Sequence, residues 1–286
     1  MYLPLVNALM LVGTVLLALG FKNSDSLAGA YGVAVSLTML ITTLFMIAVM
    51  RRIWKWNWGV VGTISAFFLV LDLTFFSSNI LKIKEGGWVP LAISVGFMIM
   101  MTTWQRGRTL LGQMMKDASL PLEMFIQDVA TRQPQRVPGV ALFLTGNPDG
   151  IPRTLLHNYK HNKILHRQNV MVTVHTEDIP RVPDEERVQV KILPEGFYQI
   201  LVRYGFSEYP DLPAALRRLK VEGLELDPMK ITFFLGRETL ILVPRKNMMT
   251  WRKNLFAYLS RNAWDASKFF QIPPNRVIEV GIQVEL

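Results

Sequence analysis

Cysteine is absent from all 286 residues, so the chain makes no disulfide and offers no thiolate to a metal. That absence fits a reducing compartment. Acidic residues are scarce in the front of the chain: residues 1–105 hold Asp25, Asp72 and Glu85, beside six Lys and Arg. The other 25 basic and 19 acidic side chains lie in residues 106–286, so a greasy front is joined to a charged back. Signatures of catalysis are missing too. The chain has no G-x-S-x-G elbow, no P-loop and no G-x-G-x-x-G. His157 and His161 have the spacing to share a metal on a helix, but they enclose "NYK" without the general-base Glu of H-E-x-x-H. With His166 and His175 they read as solvated or packing side chains, and neither an enzyme, a metal site nor a cofactor is expected. The first apolar stretch lacks the basic n-region and A-x-A-like site of a signal peptide.

What the front does contain is length of apolar sequence. Four segments, 2–21, 27–50, 59–80 and 88–104, approach the roughly 20 residues that cross a hydrocarbon core of about 30 Å. Placing the loop "RRIWKWNW" in the cytoplasm collects Arg51, Arg52 and Lys55 there, joined by Arg106 and Arg108 after the fourth segment. Lys22, Lys82 and Lys84 remain opposite, and five against three predicts a cytoplasmic C-terminal half. Trp54, Trp56, Trp58, Trp88 and Trp104 fit interfacial belts. The net charge of +9 then reads as flanks beside anionic lipid, with membrane lipid rather than nucleic acid as the partner.

In the second segment Ala28 and Gly32, like Ala30 and Ala34, are four apart on one helical face, which suits close helix packing in lipid. Ser36, Thr38, Thr42 and Thr43 can bond back to their own helix or reach a neighbour, and Thr38 is also a candidate pathway residue. The stretch "FFLVLDLTFFSSN" sets Asp72 alone in an apolar run. A lone ionisable group at membrane depth is costly and hints at function. Two readings stand: an ion or proton pathway, or a packing carboxylate bonded to a polar group facing the bundle or to a nearby hydroxyl such as that of Thr74. Tyr31 and Asn7 are the other polar candidates at depth.

Residues 106–138 read as a basic amphipathic connector, helical near 106–117 and 121–131, with Leu110, Leu111, Met114 and Met115 along the bilayer or against the next domain. "PQRVPG" marks the boundary. Residues 139–286 read as one mixed α/β domain, a plausible size for a single core. "VALFLT", "NVMVTVHT" and "VIEVGIQVEL" are strands, "RVQVKILPEGFYQILVRYGF" is two strands around a turn, and "KITFFLGR" with "TLILVP" is a hairpin. "PRTLLHNYKHNKIL" and "DLPAALRRLKVEG" are helices, the second capped by Asp211, and "KNMMTWRKNLFAYLSRNAWDASKFF" is one long helix. The turn "GNPDG" between a strand and a helix is a potential anion site.

Three of these stretches carry a resemblance. "YLPLVNALMLVGTVLLALGFKNSDSLAGAYGVAVSLTMLITTLFM", "LDLTFFSSNILKIKEGGWVPL" and "LLHNYKHNKILHRQNVMVTV" resemble, in order, motifs of the KUP/HAK/KT potassium transporters. The resemblance implies proton-coupled potassium uptake at a bacterial inner membrane, with K+ and H+ as transported ions. It implies about twelve helices in an inverted-repeat, LeuT/APC-like arrangement, of which this chain matches the last four and the cytoplasmic domain. Asp72 falls on the penultimate helix, outside the ion-site core, and the chain alone is expected to move no potassium. A homodimer through the cytoplasmic domain, and a regulatory nucleotide bound there, are further implications. The competing reading is a membrane-anchored regulatory or interaction subunit with an α/β sensor domain. In-frame coding sequence upstream of Met1 separates the two.

Overall fold

The computed structural model describes residues 3–117, 120–148, 150–219, 221, 223–224, 226–243 and 247–286. It forms two compact units, Met1–Thr102 and Thr103–Leu286. Tyr2, expected to open the first span, and Asp149 of "GNPDG" lie outside the described residues.

The first unit contains α1 (Pro4–Phe21), α2 (Ser24–Arg52), α3 (Trp58–Ile80) and the front of α4 (Trp88–Asp117). All four are long and apolar enough to cross a membrane. Pro4 starts α1 at a position where its missing N–H costs nothing. The α2 and α3 starts are capped by asparagines: Asn23 accepts from Asp25 N at 3.0 Å and Asn57 from Gly59 N at 2.9 Å. Asp25 in the first turn of α2 and Arg51 and Arg52 in its last turn suit the helix dipole. No residue of α1 is buried, as suits a helix apolar on all sides whose solvent is lipid.

α2 and α3 pack together. Gly29, Val33 and Ser36 are buried on α2, and Val61, Ser65 and Asp72 on α3. Ala28 is exposed, Ala30 buried, and Gly32 and Ala34 half-buried. Gly32 makes room for a neighbour, because a Cβ there would lie 2.3 Å from Asn79 Oδ1. α4 runs unbroken past Trp104 to Asp117, so the fourth span and the helix expected near 106–117 are one element.

The second unit is built on a six-stranded sheet in the order β3-β4-β2-β1-β5-β6. Its strands are β1 (Gln135–Leu144), β2 (Ile164–Glu177), β3 (Val188–Leu193), β4 (Phe197–Gly205), β5 (Thr232–Ile241) and β6 (Val277–Glu285). All neighbours are parallel except the β3–β4 hairpin. Period-two alternation divides the core. Ala141 and Phe143 of β1 face α5 (Leu122–Arg132) and α6 (Arg153–Asn162), through Phe125, Val129 and Leu155. Val140 and Leu142 face α7 (Leu212–Arg217), through Leu212 and Leu216. Asp211 caps α7, accepting from Ala214 N at 2.8 Å. A third cluster joins Leu110 and Leu111 of α4, with Met114 and Met115 against it, to Phe256 of α8 (Thr250–Arg261) and to Ile282, Val284 and Leu286. The apolar face of residues 110–115 is thus taken by the α/β domain.

Three sequence expectations change. Residues 135–139 of "PQRVPG" lie inside β1, where a register shift between Val137 and Val140 accommodates Pro138 and Gly139, the latter at φ 103°. β5 is one strand, not a hairpin, because Gly236 answers a close approach rather than a turn: a Cβ there would sit 3.0 Å from Ile282 Cδ1. The long final helix breaks after Arg261, with Asn262 at the C-cap and Asp265 extended before α9 (Ala266–Phe269).

Candidate functional site

Asp72 is 3% exposed on α3, and its Oδ2 accepts a hydrogen bond from Thr43 Oγ1 of α2 at 2.5 Å. The expected hydroxyl, Thr74, instead donates to Val70 O at 2.7 Å. Two residues along a helix are about 200° round it, so Thr74 cannot share the face of Asp72. Thr43 and Asp72 line a groove of about 690 Å³ between α2 and α3, together with Tyr31, Thr38, Ser65 and Phe68. Thr38 donates to Ala34 O and Thr42 to Thr38 O, both at 2.8 Å, so these hydroxyls serve their own helix. Tyr31 lines the groove while 71% exposed, and Asn7, on α1, does not line it.

Ser65 was not a sequence candidate. It is 5% exposed, and its Oγ has no hydrogen-bond partner. The signal was available, since Ser65 stands seven residues before Asp72, two turns away on the same helical face. A carboxylate keeps acceptor capacity beyond the single Thr43 bond, and an unpartnered hydroxyl can donate or accept. The groove therefore presents two buried polar groups, Ser65 and Asp72, beside the hydroxyls of Thr38, Thr42 and Thr43 in a largely apolar wall. Its chemistry is that of polar contact at depth, not of bond making.

The second unit offers less. The His157 and His161 rings lie 5.6 Å apart, but no group of three His, Asp or Glu among the described residues could hold a metal. His166 is half-buried with Nδ1 unpartnered, and burial pushes its imidazole below the usual value. At the start of "GNPDG" the preceding Thr145 accepts on its Oγ1 from Asn147 N at 3.2 Å.

Four membrane-length helices followed by a parallel-sheet domain define an integral membrane protein with a folded α/β extension. Residues 1–109 match the K+ potassium transporter integral membrane domain, and residues 138–286 the K+ potassium transporter C-terminal domain. The chain belongs to this potassium transporter family. It is 49% identical over 290 residues to the "Probable potassium transport system protein Kup" of Anaeromyxobacter sp. (strain Fw109-5), covering 100% of this chain and 44% of that protein. The protein of the same name from Myxococcus xanthus (strain DK1622) is 48% identical over 285 residues, covering 100% of this chain and 44% of its own length. "Probable potassium transport system protein Kup 1" of Geobacter sulfurreducens (strain ATCC 51573 / DSM 12127 / PCA) is 46% identical over 286 residues, covering 100% and 45%. The chain thus spans under half the length of the curated relatives it matches.

Proposed function

We propose that this chain serves as the C-terminal part of a proton-coupled potassium uptake transporter of the bacterial inner membrane, with K+ and H+ as cargo. One observation carries the reading: both an integral membrane domain and a C-terminal domain of the family match, while the chain spans under half of relatives named for potassium transport. In this reading α1 to α4 cross the membrane and the α/β domain faces the cytoplasm, on the side of Arg51, Arg52, Lys55, Arg106 and Arg108. The domain also pairs with a second copy, which cross-linking in membranes would test.

The chain alone transports no potassium in this reading. Midplane ion sites in inverted-repeat transporters are built by broken helices from paired repeats. The three spans of the first unit that are complete there, α1, α2 and α3, are continuous. The test is rubidium uptake in cells lacking their own potassium uptake, comparing this chain with any longer reading frame that contains it. Uptake by the longer protein and none by this chain is the expected result. Uptake by this chain alone refutes the division of labour. An in-frame stop just upstream of Met1 would move the weight to a membrane-anchored regulatory subunit.

A further inference from the structure

The run "VPRKNMMTWRKN", residues 243–254, carries four cations, two methionines and a tryptophan. Its described residues divide sharply. Met248 is buried at 9% exposure in the third core cluster, and Lys253 turns inward to donate to Val243 O at 2.8 Å and Leu286 O at 3.1 Å. Met249 and Trp251 stay outside, 68% and 51% exposed. Two large apolar side chains thus stand exposed beside a run that is basic in sequence.

The second unit fixes where this patch stands on α4. Arg252 Nε donates to Thr103 Oγ1 at 2.9 Å, and Thr103 is fully buried. Phe256 packs against Trp104, with ring centroids 5.6 Å apart. It fills the space left by Gly107, where a Cβ would lie 2.3 Å from Phe256 Cδ2. Thr103, Trp104 and Gly107 directly follow the apolar run "VGFMIMMT" and span one turn, about 6 Å of helix. The headgroup layer on each side of a bilayer is roughly 5–8 Å thick. The first turn of α8 therefore stands at the level where α4 leaves hydrocarbon, given that α4 crosses the membrane as in the proposed function. Arg106 is exposed at that level, and Arg245 and Lys246 precede the patch in sequence.

We propose that Met249 and Trp251, flanked by Arg252, form a foot by which the α/β unit rests on an anionic headgroup layer. Tryptophan prefers that depth because its indole is apolar in body and donates one N–H to water or phosphate. The flexible methionine fits uneven lipid, and the cations answer lipid phosphate.

The cysteine-free chain suits a direct test. Met249→Cys and Trp251→Cys would each carry an environment-sensitive fluorophore in the full chain, reconstituted in phosphatidylethanolamine and phosphatidylglycerol vesicles. Met100→Cys in α4 reports hydrocarbon, and Arg218→Cys, after α7, reports solvent. Headgroup spin-labelled lipid should quench both foot probes several-fold more than the Arg218 probe, and less so once phosphatidylglycerol is replaced by phosphatidylcholine. Foot probes quenched no better than Arg218, beside a quenched Met100 probe, overturn this inference and spare the membrane reading. A Met100 probe that acyl-chain spin-labelled lipid leaves unquenched overturns both. Foot quenching indifferent to phosphatidylglycerol overturns the anionic assignment.

Discussion

If Asp72 is held by packing, its bond to Thr43 is an energetic link between α2 and α3. Asp72 is 3% exposed and the bond is 2.5 Å, so cutting it leaves a buried carboxylate short of a donor. A hydrogen bond to a charged group contributes about 1.5–3 kcal/mol in proteins at large, but interhelical bonds in lipid average about 0.6 with a maximum near 1.7. Burial and short length place this one near the top of the membrane range. Thr43→Val should destabilise by about 1–2 kcal/mol, and Asp72→Leu by a similar amount. The double variant should cost less than the sum, with a coupling of about 1–1.5 kcal/mol. The assay is dodecyl sulfate titration of the full chain in maltoside micelles, followed by far-ultraviolet ellipticity. Additivity within about 0.5 kcal/mol would refute the link. A second arm separates packing from pathway. Asp72→Asn in a longer active protein should lower uptake in proportion to its amount in the membrane. Abolished uptake at unchanged amount would make Asp72 a pathway residue.

Glu208 accepts from Arg187 Nη2 and Gly205 N, both at 2.7 Å, and from Val182 N at 3.1 Å. Desolvation pushes its carboxyl up, but these bonds outweigh that and hold it at about 2, below the ordinary 4.5. The stabilisation is therefore full above pH 4.5 and declines as pH falls toward 2. Glu208→Gln should flatten that decline, read as amide exchange at Val182 and Gly205, and an unchanged pH slope would count against the network. Gly196 turns the β3–β4 hairpin at φ 69°, and a Cβ would lie 2.4 Å from Arg167 O. Gly196→Ala should cost about 2–4 kcal/mol in denaturant unfolding, and a loss below 1 would mean the turn adjusts freely. Lys253→Met keeps the buried stem but strips the donor from Val243 O and Leu286 O, and should cost about 1–3 kcal/mol. Faster exchange confined to β6 and α8 is its signature.

How far the sequence reached depended on the range of the interaction. The four spans and the α/β alternation follow from local composition and period, because lipid and a sheet face each impose one rule on every residue. Asp211 before "LPAALR" was legible as a cap for the same reason: its bond to Ala214 N closes within three residues. Gly236 was not, because glycine serves a turn and a close approach equally well, and Ile282, the side chain that decides, is 46 residues away. The same logic governs the groove. Asp72 announced itself by its cost, but its partner did not. Thr74 was nearer in sequence, but it lies about 200° round α3 from Asp72 and faces away from it; what chose Thr43 was the packing of α2 against α3, with Ser65 drawn onto the same wall. The foot on α8 is the extreme case. In sequence, Met249 and Trp251 look like any helix start, and only the bond from Arg252 to Thr103 ties them to the end of an apolar run 149 positions earlier. A site built by such contacts is read from the fold or not at all, which makes the lipid-quenching of those two positions a test of the packing as much as of the proposal.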